Sequence, residues 1–354
     1  MQKQKVIQKN KVQINLGLVG ATGMVGKAFL EVLSEKNWKP NELRLFSSEN
    51  SEGKTISFLE ENYNVQSLSE GCFKGLDIVF FSAGDDISLK FAPQAVKEGA
   101  YVIDNSAAFR MNPELSLVVP ECNGELLKDL TNPTIIANPN CSTIQMVVAL
   151  QAFRSICQIE DIKVSTYQSV SGAGLKALEE LVDQTRQFLD GEEDTEMESN
   201  KDFKKQNVFS RSIRFNLIPQ IGSFDESGNT SEENKMIHET RKILNLPHLK
   251  VSAMTIRVPV LVGHSEVVWV RFDRVLSRTE VHRVLSESPG VIFTSQNKDY
   301  PTPIEIAGKN EVYVGRVHQD ICDPQTWIFW IVADNLRKGA ATNGIQIAEA
   351  LIGM

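Results

Sequence analysis

The sequence of 354 residues lacks several features that would each assign it to a particular class of protein. Its five cysteines are scattered, odd in number and without C-x-x-C spacing, which argues against a disulfide scaffold or a zinc cluster and is typical of a reducing compartment. No apolar run approaches the roughly 20 residues of a membrane-spanning helix, and the lysine-bearing start lacks the apolar core of a secretory signal. We therefore expect a cytoplasmic protein with no membrane partner and no metal site.

Excess positive charge is also lacking. The formal net charge is −8, and no basic stripe stands out that could neutralise a phosphate backbone, so we expect no nucleic-acid partner. There is no internal repeat. The hydrophobic content of 42% and the charged content of 23% are ordinary for a globular protein, and the length favours two domains.

The pattern of secondary structure changes near the middle of the chain. In the first half, short β-branched segments such as GLDIVFFSAG and AYVIDNSA alternate with helical patterns, which predicts an α/β domain with a Rossmann-type, doubly wound parallel sheet. In the second half, longer strands such as HSEVVWVRFD predict an α+β domain with a mixed or antiparallel sheet. We expect a dinucleotide-binding domain at residues 1–140, completed by a returning C-terminal helix in 335–354, and a catalytic and dimerisation domain at 141–334.

A glycine-rich turn, GLVGATGMVG, connects the first predicted strand to the first predicted helix. Gly20, Gly23 and Gly26 would let the backbone, together with Thr22 and Met24-Val25, approach a pyrophosphate at the helix N-terminus. The alternative is a tight turn that binds no ligand.

The end of the second predicted strand bears on which nicotinamide cofactor is used. Ser47 and Ser48 stand there, with Glu49 only in the following turn. Hydroxyl groups suit a 2′-phosphate better than a carboxylate does, so NADP is favoured. Alternatively, the serines only cap a turn.

The most conspicuous thiol, Cys141, lies in NPNCSTIQ, where a predicted strand ends and a helix begins. A helix N-terminus favours the thiolate and offers N–H groups to an oxyanion. Such a thiolate could add to an aldehyde. The adduct would then lose hydride to a nicotinamide and become a thioester, which phosphate attacks. Among five histidines, His264 is the best placed proton acceptor. The other cysteines are interpreted as packing residues: Cys72, Cys122, Cys157 and Cys322.

Seven segments resemble, in order, the aspartate-semialdehyde dehydrogenase family. They are GLVGATGMVG, NSAAFRM, VPECN, NPNCSTIQ, QSVSGAG, RVPVLVGHS and ADNLRKGAA. The resemblance covers nearly the whole chain, except mainly the first dozen residues and the charged segment 191–206, for which we predict no function.

The resemblance implies a role for each matching residue. It makes Cys141 the acyl-thioester nucleophile, His264 the acid/base and Gln168 the residue that orients the intermediate. The implied substrate contacts are Arg257 for the α-carboxylate, Arg110 and Lys235 for phosphate, Asn140 beside the thiol and Glu232 for the amine. Arginine suits a carboxylate because the two planar groups form bidentate pairs.

Simpler readings exist for several of these residues. Arg110 could pair with a surface acid, Lys235 and Glu232 could be an exposed i,i+3 pair, and Gln168 could face solvent.

On the cofactor side, Ser171, Gly172 and Asn335 resemble the family's nicotinamide contacts. One departure concerns selectivity, because many members carry Arg-Ser-Ala-Gly after the second strand and this chain has Asn50 and Glu52 in that turn. A lost cation and a gained acid weaken NADP binding, so NAD use is also expected.

The resemblance implies NADPH-dependent reductive dephosphorylation of L-aspartyl-4-phosphate to the semialdehyde, which feeds lysine (or diaminopimelate), methionine and threonine biosynthesis. It also implies a homodimer or homotetramer. Two alternatives stay open at this point: a sister acyl-phosphate reductase, such as that for N-acetyl-gamma-glutamyl phosphate, and a non-catalytic NADP-sensing protein.

Overall fold

The structure, a computed structural model, describes residues 14–191, 208–296 and 298–353. The first dozen residues and nearly all of the 191–206 segment lie outside these ranges. The described chain forms two compact units. The first comprises residues 14–147, 239–246 and 337–353, and the second comprises the described residues of 148–238 and 247–336. The domain boundaries proposed from the sequence stay a prediction.

The first unit is built on a seven-stranded sheet in the order β3-β4-β2-β1-β5-β6-β7. All neighbours are parallel except β3, which pairs antiparallel with β4 at one edge. The strands are β1 (Asn15–Val19), β2 (Glu42–Ser47), β3 (Thr55–Phe58), β4 (Glu61–Ser67), β5 (Ile78–Phe81), β6 (Tyr101–Asp104) and β7 (Ile135–Ala137). The predicted Rossmann-type parallel sheet is confirmed.

Central strands of this sheet are apolar and buried throughout, as a parallel sheet covered on both faces requires. Every residue of β5 and of β6 is buried. The helices of this part of the chain are α1 (Met24–Glu35), α2 (Asp85–Lys97), α3 (Pro120–Asn123) and α4 (Cys141–Gln151). The last of these begins in the first unit and continues into the second.

The second unit has a six-stranded mixed sheet in the order β11-β12-β13-β10-β8-β9. Its strands are β8 (Ile159–Gln168), β9 (Lys250–Arg257), β10 (His264–Phe272), β11 (Val291–Phe293), β12 (Val312–Gln319) and β13 (Thr326–Ala333). The accompanying helices are α5 (Leu175–Leu189), α6 (Ser231–Ile243), α7 (Arg278–Glu287) and α8 (Pro303–Ile306). From Glu239 onward, α6 belongs to the first unit. The predicted α+β character is confirmed.

The chain ends in α9 (Thr342–Ile352), which packs on α1 and β6 of the first unit. Gly344 allows a close approach, since a Cβ there would lie 2.9 Å from the ring of Phe29. Just before the helix, the ammonium of the buried Lys338 contacts both carboxylate oxygens of Glu121 at 2.7 and 2.8 Å. The predicted return of the C-terminal helix is confirmed.

Within the described ranges, no helix combines the length and apolar character that spanning a membrane would need. The same ranges hold no group of three or more histidine, cysteine, aspartate or glutamate side chains arranged to bind a metal ion.

Candidate active site

The glycine-rich turn makes close backbone contacts that a side chain would block. Gly20 has a φ of +85°, and a Cβ on it would lie 2.2 Å from the Ser82 carbonyl oxygen. A Cβ on Gly26 would lie 2.3 Å from the Gly20 carbonyl oxygen. Gly23 is the N-cap of α1, no side chain in the described part of the chain caps this end, and the first turn carries no acidic residue. The chemistry of this end therefore fits a pyrophosphate.

The predicted 2′-phosphate contacts lie where β2 ends. The hydroxyl of Ser47 is 2.7 Å from that of Thr22 in the glycine-rich turn, while Ser48 is exposed. Asn50 and Glu52 are also exposed, and the Glu52 carboxylate accepts a hydrogen bond from Ser67 at 2.7 Å. Ser48, Asn50 and Glu52 are therefore accessible at the end of β2, and the Glu52 carboxylate already has a partner.

The predicted nucleophile is the first residue of α4. Cys141 is half-buried, whereas the following nine residues of the segment are all buried. Its sulfur lies 3.6 Å from Oδ1 of Asn140, which is itself buried. Burial raises the pKa of Cys157 to about 11 and also raises the pKa of Cys72. These two thiols therefore favour the neutral form, in keeping with a packing role.

Arg110 lies in a buried ion pair that sequence analysis did not predict. Its Nη1 donates to Glu239 at 3.0 Å, and Nη2 donates to the Asn105 carbonyl oxygen at 2.7 Å. The other Glu239 oxygen accepts the backbone N–H of Asn140 at 2.7 Å. Glu239 thus connects the predicted phosphate-binding arginine to the residue before the thiol. The only sequence signal that could have identified Glu239 is its position in α6, seven residues after the predicted substrate contact Glu232.

In the second unit, four of the predicted site residues lie at one edge of the sheet because the strands begin or end there. β8 and β9 are parallel neighbours whose last residues, Gln168 and Arg257, are paired in register. β10 runs antiparallel to β8, so its first residue, His264, lies at the same edge. β13 ends opposite His264, two residues before Asn335. The topology therefore brings these residues together.

His264 is fully buried at this edge. Burial lowers its pKa to about 3; the positive charge of Arg257 acts in the same direction, and Glu232 opposes it. Its Nδ1 accepts the backbone N–H of Ser169 at 3.1 Å and lies 3.1 Å from the Ser169 hydroxyl. Among the described residues, Nε2 has no hydrogen-bond partner. The other four histidines are exposed or half-buried.

Arg257 and His264 face the same small region. A Cβ on Gly172 would lie 3.0 Å from Nη1 of Arg257 and 3.1 Å from Nε2 of His264, so both nitrogens are near one point. Nη1 of Arg257 also donates to the Ser169 carbonyl oxygen at 2.6 Å. Ser169 therefore contacts both side chains through its backbone. Sequence analysis missed it, because a backbone contact leaves no side-chain signature.

Gln168 and Glu232 form a buried pair, in which the amide of Gln168 donates to Glu232 at 3.2 Å. Lys235 approaches the other Glu232 oxygen at 3.3 Å. The reading of Gln168 as solvent-facing and that of Glu232 as an exposed pair member are both wrong, since these residues are 1% and 6% exposed.

The first turn of α6 is fixed by a reciprocal cap. The N–H of Thr230 donates to the Glu233 carboxylate at 2.6 Å, and the N–H of Glu233 donates to the Thr230 hydroxyl at 3.3 Å. Glu233 also accepts the N–H of Thr255 in β9 at 2.9 Å. This cap attaches the helix to the sheet and so positions Glu232 beside Gln168.

Asn335 is buried and its side chain is occupied by protein groups. Its Oδ1 accepts the N–H of Gly263 at 2.9 Å and lies 3.1 Å from the hydroxyls of Ser169 and Ser171. Its Nδ2 lies 3.0 Å from the Ser171 hydroxyl. These contacts join the loop after β8 to the residue before His264.

Comparison with known proteins agrees with this architecture. The family profile described as "Semialdehyde dehydrogenase, NAD binding domain" matches residues 15–130. The profile described as "Semialdehyde dehydrogenase, dimerisation domain" matches residues 150–338. Both profiles fall on the parts of the chain that contain the glycine-rich turn and the second sheet.

Several similar whole proteins are named aspartate-semialdehyde dehydrogenase. The aspartate-semialdehyde dehydrogenase of Aquifex aeolicus is 48% identical over 95% of this chain and 97% of its own length. That of Bacillus subtilis is 44% identical over 96% and 97%. The crystal structure of aspartate semialdehyde dehydrogenase II complexed with ASA from Vibrio cholerae is 44% identical, with a TM-score of 0.91 over 96% of this chain and 98% of that chain. The chain therefore belongs to the aspartate-semialdehyde dehydrogenase family of oxidoreductases.

Proposed function

We propose that this chain catalyses the NADPH-dependent reductive dephosphorylation of L-aspartyl-4-phosphate to L-aspartate 4-semialdehyde and phosphate, through a thioester on Cys141. The observation that carries the proposal is the shared sheet edge of Gln168, Arg257 and His264. At this edge, the cation of Arg257 can bind the α-carboxylate of an amino-acid substrate, and the buried imidazole of His264 can act on its acyl group. The product would feed lysine or diaminopimelate, methionine and threonine biosynthesis.

The chemistry begins at the half-buried thiol. As thiolate, Cys141 attacks the acyl carbon, a C–S bond forms, and the bond from that carbon to the phosphate oxygen breaks. Backbone N–H groups at the start of α4 stabilise the oxyanion that develops. Phosphate departs with the electron pair of the broken bond, and the acyl group remains on sulfur.

Substrate binding uses side chains of both signs. Arg257 binds the α-carboxylate and Glu232 the amine, while Arg110 and Lys235 contact the phosphate. Arg110 and Lys235 already pair with Glu239 and Glu232, respectively. These carboxylates keep the cations oriented before phosphate arrives.

The glycine-rich turn supports dinucleotide binding because the chain comes close there without side chains and α1 starts uncapped. When bound, the nicotinamide supplies the hydride that reduces the acyl carbon. Gly20, Gly23 and Gly26, with Thr22 and Met24-Val25, would hold the pyrophosphate, and Ser47 and Ser48 the ribose side. We propose NADP as the main cofactor, with NAD also used because of Asn50 and Glu52.

We also propose that the protein acts in the cytoplasm as at least a homodimer, with homotetramer as the larger alternative. The matched profile at residues 150–338 is described as a dimerisation domain, which supports the proposed dimer.

The test is a phosphate-dependent oxidation assay with aspartate semialdehyde, run in parallel with NADP and NAD. The wild type should turn over with both cofactors and prefer NADP. Cys141→Ala should abolish turnover while cofactor affinity stays unchanged, because the thiol is needed only for the covalent step. Cys322→Ala, at an exposed thiol, is the matched control and should behave as wild type.

Two results would contradict the proposal. Turnover of N-acetylglutamate semialdehyde without turnover of aspartate semialdehyde would assign the chain to the sister reductases. NADP binding without phosphate-dependent turnover of any semialdehyde would favour the sensing protein.

A further inference from the structure

The environment of His264 constrains where its ring carries a proton. A backbone N–H can only donate, and the Ser169 N–H points at Nδ1 from 3.1 Å. A neutral imidazole has one N–H and one lone pair, so the lone pair belongs on Nδ1 and the proton on Nε2. The single hydrogen of the Ser169 hydroxyl is donated to Oδ1 of Asn335, so the hydroxyl does not compete as a donor to Nδ1, whereas the direction of the amide N–H is fixed by the chain.

The Ser169 amide is held in place from two sides. The Ser169 carbonyl oxygen accepts from Arg257 at 2.6 Å, and its hydroxyl lies 3.1 Å from Oδ1 of Asn335. The same Oδ1 accepts the N–H of Gly263, the residue before His264, at 2.9 Å. Asn335 thus connects Ser169, whose N–H is the donor, to Gly263, which precedes the acceptor His264.

We propose that Ser169 and Asn335 are positioning residues that hold His264 as the neutral tautomer with its proton on Nε2. The ring then presents a hydrogen-bond donor, rather than a base, to the space next to Gly172 that Nε2 faces. This inference rests on the proposed function only for its consequence, because the tautomer itself is a property of the folded protein.

The consequence concerns the oxygen of the acyl group. When hydride reaches the acyl carbon, the carbonyl oxygen becomes an oxyanion, and Nε2–H stabilises it by a hydrogen bond. The oxyanion then re-forms the C=O bond, the C–S bond breaks, and the electron pair returns to sulfur as thiolate. His264 donates throughout and its proton stays on the ring, a role for which a neutral imidazole with a lowered pKa is suited.

Two substitutions of Ser169 separate its amide from its hydroxyl. Its φ of −64° and ψ of 155° suit proline, and the preceding Gln168 is in a strand, so Ser169→Pro removes the N–H at a compatible backbone conformation. The proline Cδ replaces the amide hydrogen that points at Nδ1, so this variant also displaces the His264 ring. Ser169→Ala is the matched control, because it removes the hydroxyl and keeps the N–H. Asn335→Ala removes the tie to Gly263.

The experiment is nitrogen-15 NMR of the full-length enzyme with ring-labelled histidine, in which the His264→Gln spectrum identifies the His264 signals among the five histidines. At neutral pH the wild type and Ser169→Ala should both show protonated Nε2 and unprotonated Nδ1. Ser169→Pro should lose this single tautomer, and Asn335→Ala should shift toward a mixture. Protonated Nδ1 in the wild type would overturn the proposal, whatever the activity assay shows.

If Ser169→Pro does not fold, the wild-type spectrum alone still decides the tautomer. A failure of the proposed function would appear differently, as an enzyme with the expected tautomer that does not turn over aspartate semialdehyde. If Asn335→Ala keeps the wild-type tautomer, Asn335 is not a positioning residue and that part of the proposal is wrong.

Discussion

At the scale of single residues, Gly172 controls the space that Arg257 and His264 share. A methyl group there would come within 3.0 to 3.1 Å of both side chains, closer than carbon normally approaches nitrogen. The residue itself is exposed, so a methyl group costs little elsewhere. Gly172 is therefore a sensitive position for function and a tolerant one for folding.

We predict that Gly172→Ala lowers kcat/KM for aspartate semialdehyde by at least about tenfold, because a displacement of a catalytic group by a fraction of an ångström misaligns it. The free energy of unfolding should change by less than about 1 kcal/mol. Steady-state kinetics and denaturant unfolding measure the two quantities. Ala173→Ser, in the same turn, is the control and should leave both unchanged; equal kinetics for the two variants would contradict the account.

His264 also makes a defined contribution to stability as a function of pH. Its pKa falls to about 3 in the folded protein, because of burial first and Arg257 second, against the ordinary value of 6.5. Between these values the unfolded chain binds a proton that the folded chain does not. Acidification through this window therefore destabilises the fold, by about 1.4 kcal/mol per pH unit from this residue.

We predict that His264→Gln removes this component. Free energies of unfolding measured from pH 7 to pH 4 should fall less steeply for the variant than for the wild type, while the shared carboxylate contributions cancel in the difference. Parallel curves for the two proteins would show that His264 titrates alike in the folded and unfolded states.

At the scale of elements, α6 carries side chains used by both units. Glu232 and Lys235 belong to the part assigned to the second unit, while Glu239 belongs to the first. Loss of one partner of the buried Arg110–Glu239 pair should lower stability, since it leaves a buried charge poorly compensated.

We predict that Glu239→Ala lowers the free energy of unfolding by about 3 kcal/mol. The exposed pair Arg283–Glu287 on α7 provides the matched control, and Glu287→Ala should cost less than about 0.5 kcal/mol. Denaturant titration of both variants measures the difference. Similar small losses would mean that Glu239 does not stabilise the loop that carries Arg110.

Several elements followed from sequence patterns because their signals are local. The strands β1, β5, β6 and β7 are short apolar runs, and the start of α4 at Cys141 follows from the NPNC turn. The edge hairpin of β3 and β4 was not predicted. Its residues are mostly exposed and polar, as in ENYNVQS, and each strand has only two alternating apolar residues, so the signal is too short to mark a strand.

At the scale of the whole molecule, the site residues fall into two groups: those that a local motif identifies, and those whose role depends on a partner far away in sequence. The candidate catalytic residues could be named from motifs, yet Ser169 and Glu239 could not. Glu239 acts on Arg110 and Asn140, about 100 or more residues away in sequence, and Ser169 acts on His264 through its backbone. Such contacts arise from sheet topology, which motif spacing does not encode.

The cysteine thioester is the central claim about the molecule, and mass spectrometry of the acyl-enzyme tests it most directly. The full-length enzyme is mixed with aspartate semialdehyde and NADP in the absence of phosphate, quenched in acid and digested. We predict that the peptide containing Cys141 gains the mass of one aspartyl group and loses it when phosphate is added before the quench. An adduct on another residue, or none in an enzyme that turns over, would contradict the account.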